Sequence, residues 1–181
     1  MDALPLYTLG HSDRSQDALV ALLREHCIQA VVDIRAQPHS GRFPHFSEQA
    51  LRARLDKEGI AYHWAGRQLG GKRAARPDSQ HLALEAALRG FADYAGTEPF
   101  LRAAAQLMRM ATTTPTTVLC AERLPASCHR RILADYLTLQ GVSVLHIIRP
   151  GECHAHLLSP EARRESMQLI YDRNSNARLD L

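Results

Sequence analysis

Residues 30–34, Ala-Val-Val-Asp-Ile, constrain the fold most, because an extended chain here is apolar on both faces, Asp33 aside. Such a strand must be covered on both sides, as parallel strands are between two layers of helices. The rest of the chain offers it neighbours. Residues 6–9, 60–64, 116–119 and 142–148 read as further strands. Between them, Ser15 caps a helix carrying Leu19, Leu22 and Leu23, and Ser47 with Glu48 starts another through Leu51 and Leu55 to Gly59. Residues 98–110 form an amphipathic helix with Leu101, Ala104, Ala105 and Met108 on one face, and residues 81–88 a further helical stretch, with Gly90 and Gly96 in the connection between them.

This alternation predicts an α/β fold: a single three-layer domain over residues 1–171, its mostly parallel sheet covered by helices on both faces and linked by right-handed crossovers. Beyond Pro150 the pattern weakens. Ser159, Pro160 and Glu161 read as the cap of a short helix, residues 169–171 as an edge strand, and residues 172–181 as a polar C-terminal tail.

Ligands of such sheets bind beyond the carboxyl ends of the strands. Three polar clusters fall there: Gly10, His11 and Ser12 after the first strand, Asp33 and Arg35 at the second, and Cys120 with Glu122 after the strand at 116–119. The last is the densest. Between Cys120 and Arg131 lie two thiols, Cys120 and Cys128, the carboxylate of Glu122, the imidazole of His129 and the guanidinium of Arg130, ahead of a helix carrying Ile132, Leu133, Tyr136 and Leu137. Pro125 and Ser127 are its start signals, which sets Cys128 in the first turn, where positive potential favours a thiolate.

Each residue also has a plainer reading: Cys120 and Cys128 as small core side chains, His11 and His129 as packing residues, Arg35 and Arg130 as partners of Asp33 and Glu122. Trp64 and Tyr62 read as core residues, though Trp64, leaving a strand toward a glycine loop, also reads as a platform on which a base stacks. Residues 65–78, with Gly66, Gly70, Gly71, Lys72 and Arg73, read as a mobile basic flap without the spacing of a phosphate-binding Walker loop. Cys27, at the close of a helix, and Cys153, in a polar loop, take no part.

Charge and composition narrow the classes. A chain of 181 residues that is 45% hydrophobic supports one core. A net charge of +3, scattered along the chain, permits nucleic-acid binding without requiring it. No apolar run approaches the ~20 residues of a membrane span. The start of the chain lacks the pattern of a signal peptide, so the expected location is cytoplasmic, with reduced thiols and no membrane partner. Nothing in the pattern sets an oligomeric state.

The motifs Gly10-His11-Ser12 with Arg14, Asp33-Ile34-Arg35 with Pro38, Arg42-Phe43-Pro44-His45-Phe46, Leu69-Gly70-Gly71, and Cys120-Ala121-Glu122 followed by Cys128-His129-Arg130 resemble the bacterial and archaeal family named domain of unknown function 488. The resemblance runs from Tyr7 to His156 and implies a compact α/β domain with an active site, without assigning a reaction. Asp13 stands where the resemblance leads one to expect an amide.

Three named chemistries fit poorly. A sulfurtransferase or cysteine phosphatase matches the strand-cysteine-loop-helix layout, but Glu122 would repel both thiolate and anion. A cytidine-type zinc deaminase matches Cys120-Ala121-Glu122, but its second cysteine pair is absent. A zinc site from Cys120, Cys128 and His129 meets a geometric objection, since neighbours in a helix lie ~100° apart. No metal is therefore expected, and no cofactor is named. The expected function is an enzyme acting on a small anionic or nucleotide-like substrate. His11, Cys120, Glu122, Cys128 and His129 are its catalytic candidates, and Ser12, Asp33, Arg35, Arg42, Gly70, Gly71 and Arg130 its binding candidates. The alternatives are a nucleic-acid-binding or accessory module with structural cysteines, separable by the salt dependence of binding, and a metal-dependent hydrolase.

Overall fold

The computed structural model describes residues 4–39 and 41–173. Its sheet contains β1 (Leu6–Gly10), β2 (Ala30–Asp33), β3 (Ala61–Trp64), β4 (Thr116–Cys120), β5 (Val144–Arg149) and β6 (Glu152–Ala155), in the order β3-β2-β4-β1-β5-β6. All neighbours are parallel except β5 and β6. The expected α/β architecture is thus the observed one.

Helices α1 (Gln16–Glu25) and α2 (Glu48–Lys57) cover one face, where Leu19, Leu23, Leu51, Leu55 and Phe46 pack on Leu9, Val31 and Leu119. The short α3 (Gly66–Leu69), then α4 (Ala86–Tyr94), α5 (Glu98–Ala111) and α6 (Arg130–Leu139), cover the other, where Phe91, Phe100, Leu107 and Leu133 pack on Leu6, Val32, Val118 and Cys120. Alternation along each strand assigns neighbouring residues to opposite cores, so Leu119 and Cys120 serve different layers.

Several local expectations are corrected. The stretch 81–88 is mostly turn, and its helix is α4, which contains Gly90 rather than ending before it. A side chain at Gly90 would collide with the Arg73 carbonyl, at 2.1 Å from a Cβ, so glycine is tolerated inside this helix because the basic loop crosses it closely. The loop is accordingly pinned: Arg73 donates to the carbonyls of Gly70 and Arg67 and stacks its guanidinium 3.3 Å from the Tyr94 ring centroid.

The buried stripe of α5 is Phe100, Ala104, Leu107 and Ala111, with Leu101 and Met108 on its flank, because Phe100 demands the deepest place. Ser159 to Glu161 caps no helix. That segment leads into β7 (Ala162–Glu165), which pairs with β8 (Gln168–Tyr171) in a separate two-stranded hairpin, so 169–171 is not an edge of the main sheet. Cys153 lies in β6 and packs on the core of the α1/α2 side rather than in a polar loop. Of the polar tail, residues 174–181 lie outside the described residues.

Candidate active site

Strands β1, β2 and β4 end side by side, with Gly10 opposite Cys120 and Asp33 opposite Leu119. Their carboxyl ends open onto a cleft of about 730 Å³. His11, Ser12, Arg35, Arg42, Gly71, Cys120, Glu122, Cys128 and His129 line it, all named from the sequence. Asp33, Gly70 and Arg130 do not.

The β2 corner is closed on itself. Asp33 is fully buried, and its Oδ1 accepts from the Arg35 backbone N–H at 3.0 Å and from Arg35 Nε at 2.9 Å. Its Oδ2 accepts from Arg35 Nη2 at 2.6 Å and from the Tyr62 hydroxyl at 2.7 Å. Arg35 Nη1 donates to the Phe46 carbonyl at 2.8 Å. Burial and the carboxylate push the Tyr62 hydroxyl well up. Tyr62 is therefore a core residue. Trp64, which donates to the Arg35 carbonyl at 3.0 Å, is half-exposed and lines a different cavity, between β3 and α5.

His11 joins the same network. Its Nδ1 lies 2.8 Å from the Ser12 carbonyl and so carries the proton, leaving Nε2 to accept from Arg35 Nη1 at 3.3 Å. Burial pushes its pKa down to about 4, which keeps the ring neutral. With both nitrogens engaged, His11 is a neutral positioning group rather than a ready base.

Arg130, wholly buried, donates to the carbonyls of Glu122 and, at 2.6 Å, Arg123. It orders the loop between β4 and α6 through backbone oxygens and leaves the Glu122 carboxylate exposed on the cleft. Neither Arg35 nor Arg130 presents a guanidinium fork to an anion. Neither is free for the substrate-binding part for which it was a candidate, because each is committed to the protein's own oxygens.

The β4 corner is arranged differently. Pro125–Ser127 forms a 3-10 turn, after which Cys128 is extended, with φ −130° and ψ 145°. Only then does α6 begin, at Arg130 with His129 as its N-cap. Cys128 is thus outside the helix, not in its first turn, and the ~100° separation of helical neighbours does not apply. Freed from it, Cys120 Sγ, Cys128 Sγ and a nitrogen of His129 converge within 4.8 Å of one another.

His129 Nδ1 lies 3.9 Å from Cys120 Sγ and 3.7 Å from Cys128 Sγ. The ring is held between Gly71, where a Cβ would come within 2.5 Å of it, and the edge-on ring of Phe91, 4.9 Å between centroids. Its Nε2 is buried without a hydrogen-bond partner among the described residues. The two thiols differ: the hydrogen bond from Cys120 and the charge of Arg130 bring Cys128 down to about 7, while that hydrogen bond and burial push Cys120 up.

Some lining residues escaped the sequence reading. Lys72 and His39 reach the rim from loops, and Ala87 and Leu88 of α4 wall it. Lys72, beside Gly71, carried a signal in its neighbour. The α4 wall carried none, since only tertiary packing brings it there. A second polar assembly also went unread. Asp135, amid the apolar face of α6, accepts from the Tyr171 hydroxyl, Ser159 Oγ and N, and is bonded to His156, which bonds His146 and through it Thr8. It anchors the C-terminal hairpin to the domain.

Among the described residues no helix is long and apolar enough to cross a membrane. No curated protein and no solved structure matches the chain. The family described as Domain of unknown function DUF488 matches residues 15–137, from the cap of α1 into α6, a span that takes in both corners of the cleft apart from His11 and Ser12. The chain belongs to that family.

Proposed function

We propose that the protein is an enzyme acting on a small anionic substrate in this cleft, with Cys120, Cys128 and His129 as its reacting centre and Glu122 as the neighbouring acid or base. One observation carries the reading. A buried Cys-Cys-His cluster forms part of the lining of a cavity whose rim holds Arg42, Lys72 and His39, while its exposed carboxylates are Glu122 and an Asp13 already paired with Arg123 at 2.7 Å. Arg42 and Lys72 form no ion pair among the described residues. They take over the anion-holding role that Arg35 and Arg130 cannot fill, and a volume of about 730 Å³ accommodates a nucleotide-sized ligand.

The test is a thermal-shift and calorimetric titration with phosphate, pyrophosphate and nucleoside phosphates. A bound anion at 100 times its Kd stabilises the native state by about 2.7 kcal/mol. The double variant Arg42→Glu, Lys72→Glu is expected to abolish that shift. No shift with any anion, or an equal shift in the variant, would refute the reading. A steep salt dependence with long single strands and none with mononucleotides would instead favour a nucleic-acid-binding module.

A further inference from the structure

The three donors at the β4 corner lie within 4.8 Å of one another, close enough to serve one metal ion. With Zn–S near 2.3 Å and Zn–N near 2.0–2.1 Å, tetrahedral angles place sulfur and nitrogen about 3.6 Å apart. The observed Nδ1 to Sγ distances are 3.7 and 3.9 Å. These are long for hydrogen bonds and within a few tenths of an ångström of the edges of a metal tetrahedron. Cys128 Sγ also accepts from the Arg130 backbone N–H at 3.5 Å, so hydrogen bonding accounts for part of the arrangement and leaves the approach of the imidazole to both sulfurs unexplained.

Charge points the same way. Cys120, Cys128 and His129 are 6, 3 and 8% exposed, so a thiolate here is costly unless a cation lies against it. The guanidinium of Arg130 lends its charge to Cys128 but donates its hydrogen bonds to the carbonyls of Glu122 and Arg123, so neither sulfur has a cation bonded to it among the described residues. Two thiolates with one dication and a neutral imidazole sum to zero. Nδ1 of the imidazole meets only the two sulfurs among the described residues, so with the proton on Nε2 its lone pair is open to a metal.

We infer that Cys120, Cys128 and His129 hold one soft divalent metal, zinc by preference, with its fourth position facing the cleft. Three protein donors and one position left for water or a substrate oxygen make a catalytic rather than a structural site. Binding releases the two thiol protons to solvent, so affinity rises with pH. The metal would polarise an oxygen of the anion that the rim holds. The inference rests on the reading of this cluster as the reacting centre, and it supplies the cofactor of that reading.

The full chain, purified without chelator, is assayed by elemental analysis, and apo protein is titrated with Co²⁺. About one zinc per chain is expected, together with the thiolate-to-cobalt charge-transfer absorption of a tetrahedral sulfur site. Cys120→Ser and Cys128→Ser should each weaken metal binding about 100-fold or more, while Cys128→His retains the metal and Cys153→Ser leaves it unchanged. Should the serine variants fail to fold, the cobalt spectrum of the wild-type protein decides. Substoichiometric zinc with no charge-transfer band overturns the inference, as does a band that survives in a folded Cys120→Ser variant. Anion titration of the same samples separates the two proposals: phosphate or nucleotide binding that persists in metal-free protein preserves the cleft reading when the metal fails.

Discussion

The two corners of the cleft are built from similar groups and finished differently. At β2, the Asp33 carboxylate is bound by Arg35 and Tyr62, and Arg35 is bound in turn by Phe46 and His11. At β4, two thiols and an imidazole are equally buried but joined by long contacts, Nδ1 to the sulfurs at 3.7 and 3.9 Å and the Arg130 backbone N–H to Cys128 Sγ at 3.5 Å. A buried polar group that is satisfied holds the fold together. A cluster of donors joined by long contacts and opening on a cleft is where a ligand can bind. The lesson is that position at a strand end marks a region, whereas the closeness of the contacts its polar groups already make separates its scaffold from its chemistry.

The sharpest way to break this comparison is to remove a charge from the closed corner. Asp33→Ala leaves Arg35 buried and unpaired, a change that costs about 3–5 kcal/mol. Urea unfolding should show the midpoint falling by a corresponding amount at constant m-value. A loss below about 1 kcal/mol would mean that the Asp33 network is dispensable to the scaffold, contrary to its geometry.

Acid probes the second satisfied network. His146 is buried between Thr8 and His156, with Asp135 and Arg130 close and His154 farther out, and burial brings its pKa from 6.5 down to about 4. The unfolded chain takes up this proton near pH 6.5 and the folded chain only near pH 4. The contribution is thus complete above pH 6.5, declines as the pH falls, and is gone below about 4, a loss on the order of 2–3 kcal/mol. His146→Asn should flatten the stability profile between those limits. An unchanged slope would show that His146 is charged in the native state.

This contrast explains what the sequence could reveal. The strand at 30–34 was legible because a run apolar on both faces has few alternatives to a buried parallel strand, and that at 116–119 because a β-branched run follows Pro115; their polar ends had to meet at one edge. The sequence leaves Arg35 open between a ligand and Asp33, because a guanidinium two residues after a carboxylate looks alike in sequence whether it faces that group or the solvent, and Arg130 took neither expected partner but the backbone carbonyls of Glu122 and Arg123. Cys128 was misplaced because Pro125 and Ser127 start helices often, yet here they make a 3-10 turn that leaves one extended residue before α6. That single residue decides whether three donors can meet.

Gly71 sharpens the comparison from the open side. A Cβ there would lie 2.5 Å from the His129 ring, too close unless the ring moves. Gly71→Ala should cost about 1–2 kcal/mol in overpacking and displace the imidazole from the sulfurs. Reduced stability with reduced Co²⁺ affinity is the expected pair of results. Unaltered affinity would show that the ring position is not what brings the donors together.

The smallest effect is expected at a cysteine outside both corners. Helices α1 and α2 end alike: Cys27 N–H donates to Arg24 and Ile28 N–H to Leu23, as Gly59 N–H donates to Asp56 and Ile60 N–H to Leu55. Both positions need the left-handed backbone, with φ +70° at Gly59 and φ +53° at Cys27. A glycine adopts that conformation freely, whereas an L side chain is strained by about 1 kcal/mol. The Cys27 side chain is exposed and gives nothing in return that the structure shows. Cys27→Gly should therefore raise the unfolding free energy by about 1 kcal/mol, offset in part by the greater freedom of glycine in the unfolded chain. Metal content and anion binding should not change, because β1 and the core formed by α1 and α2 lie between this helix end and the cluster on the α6 side. A destabilised variant would show that the thiol makes a contact worth more than the strain, and a variant that loses metal would extend the chemistry beyond Cys120, Cys128 and His129.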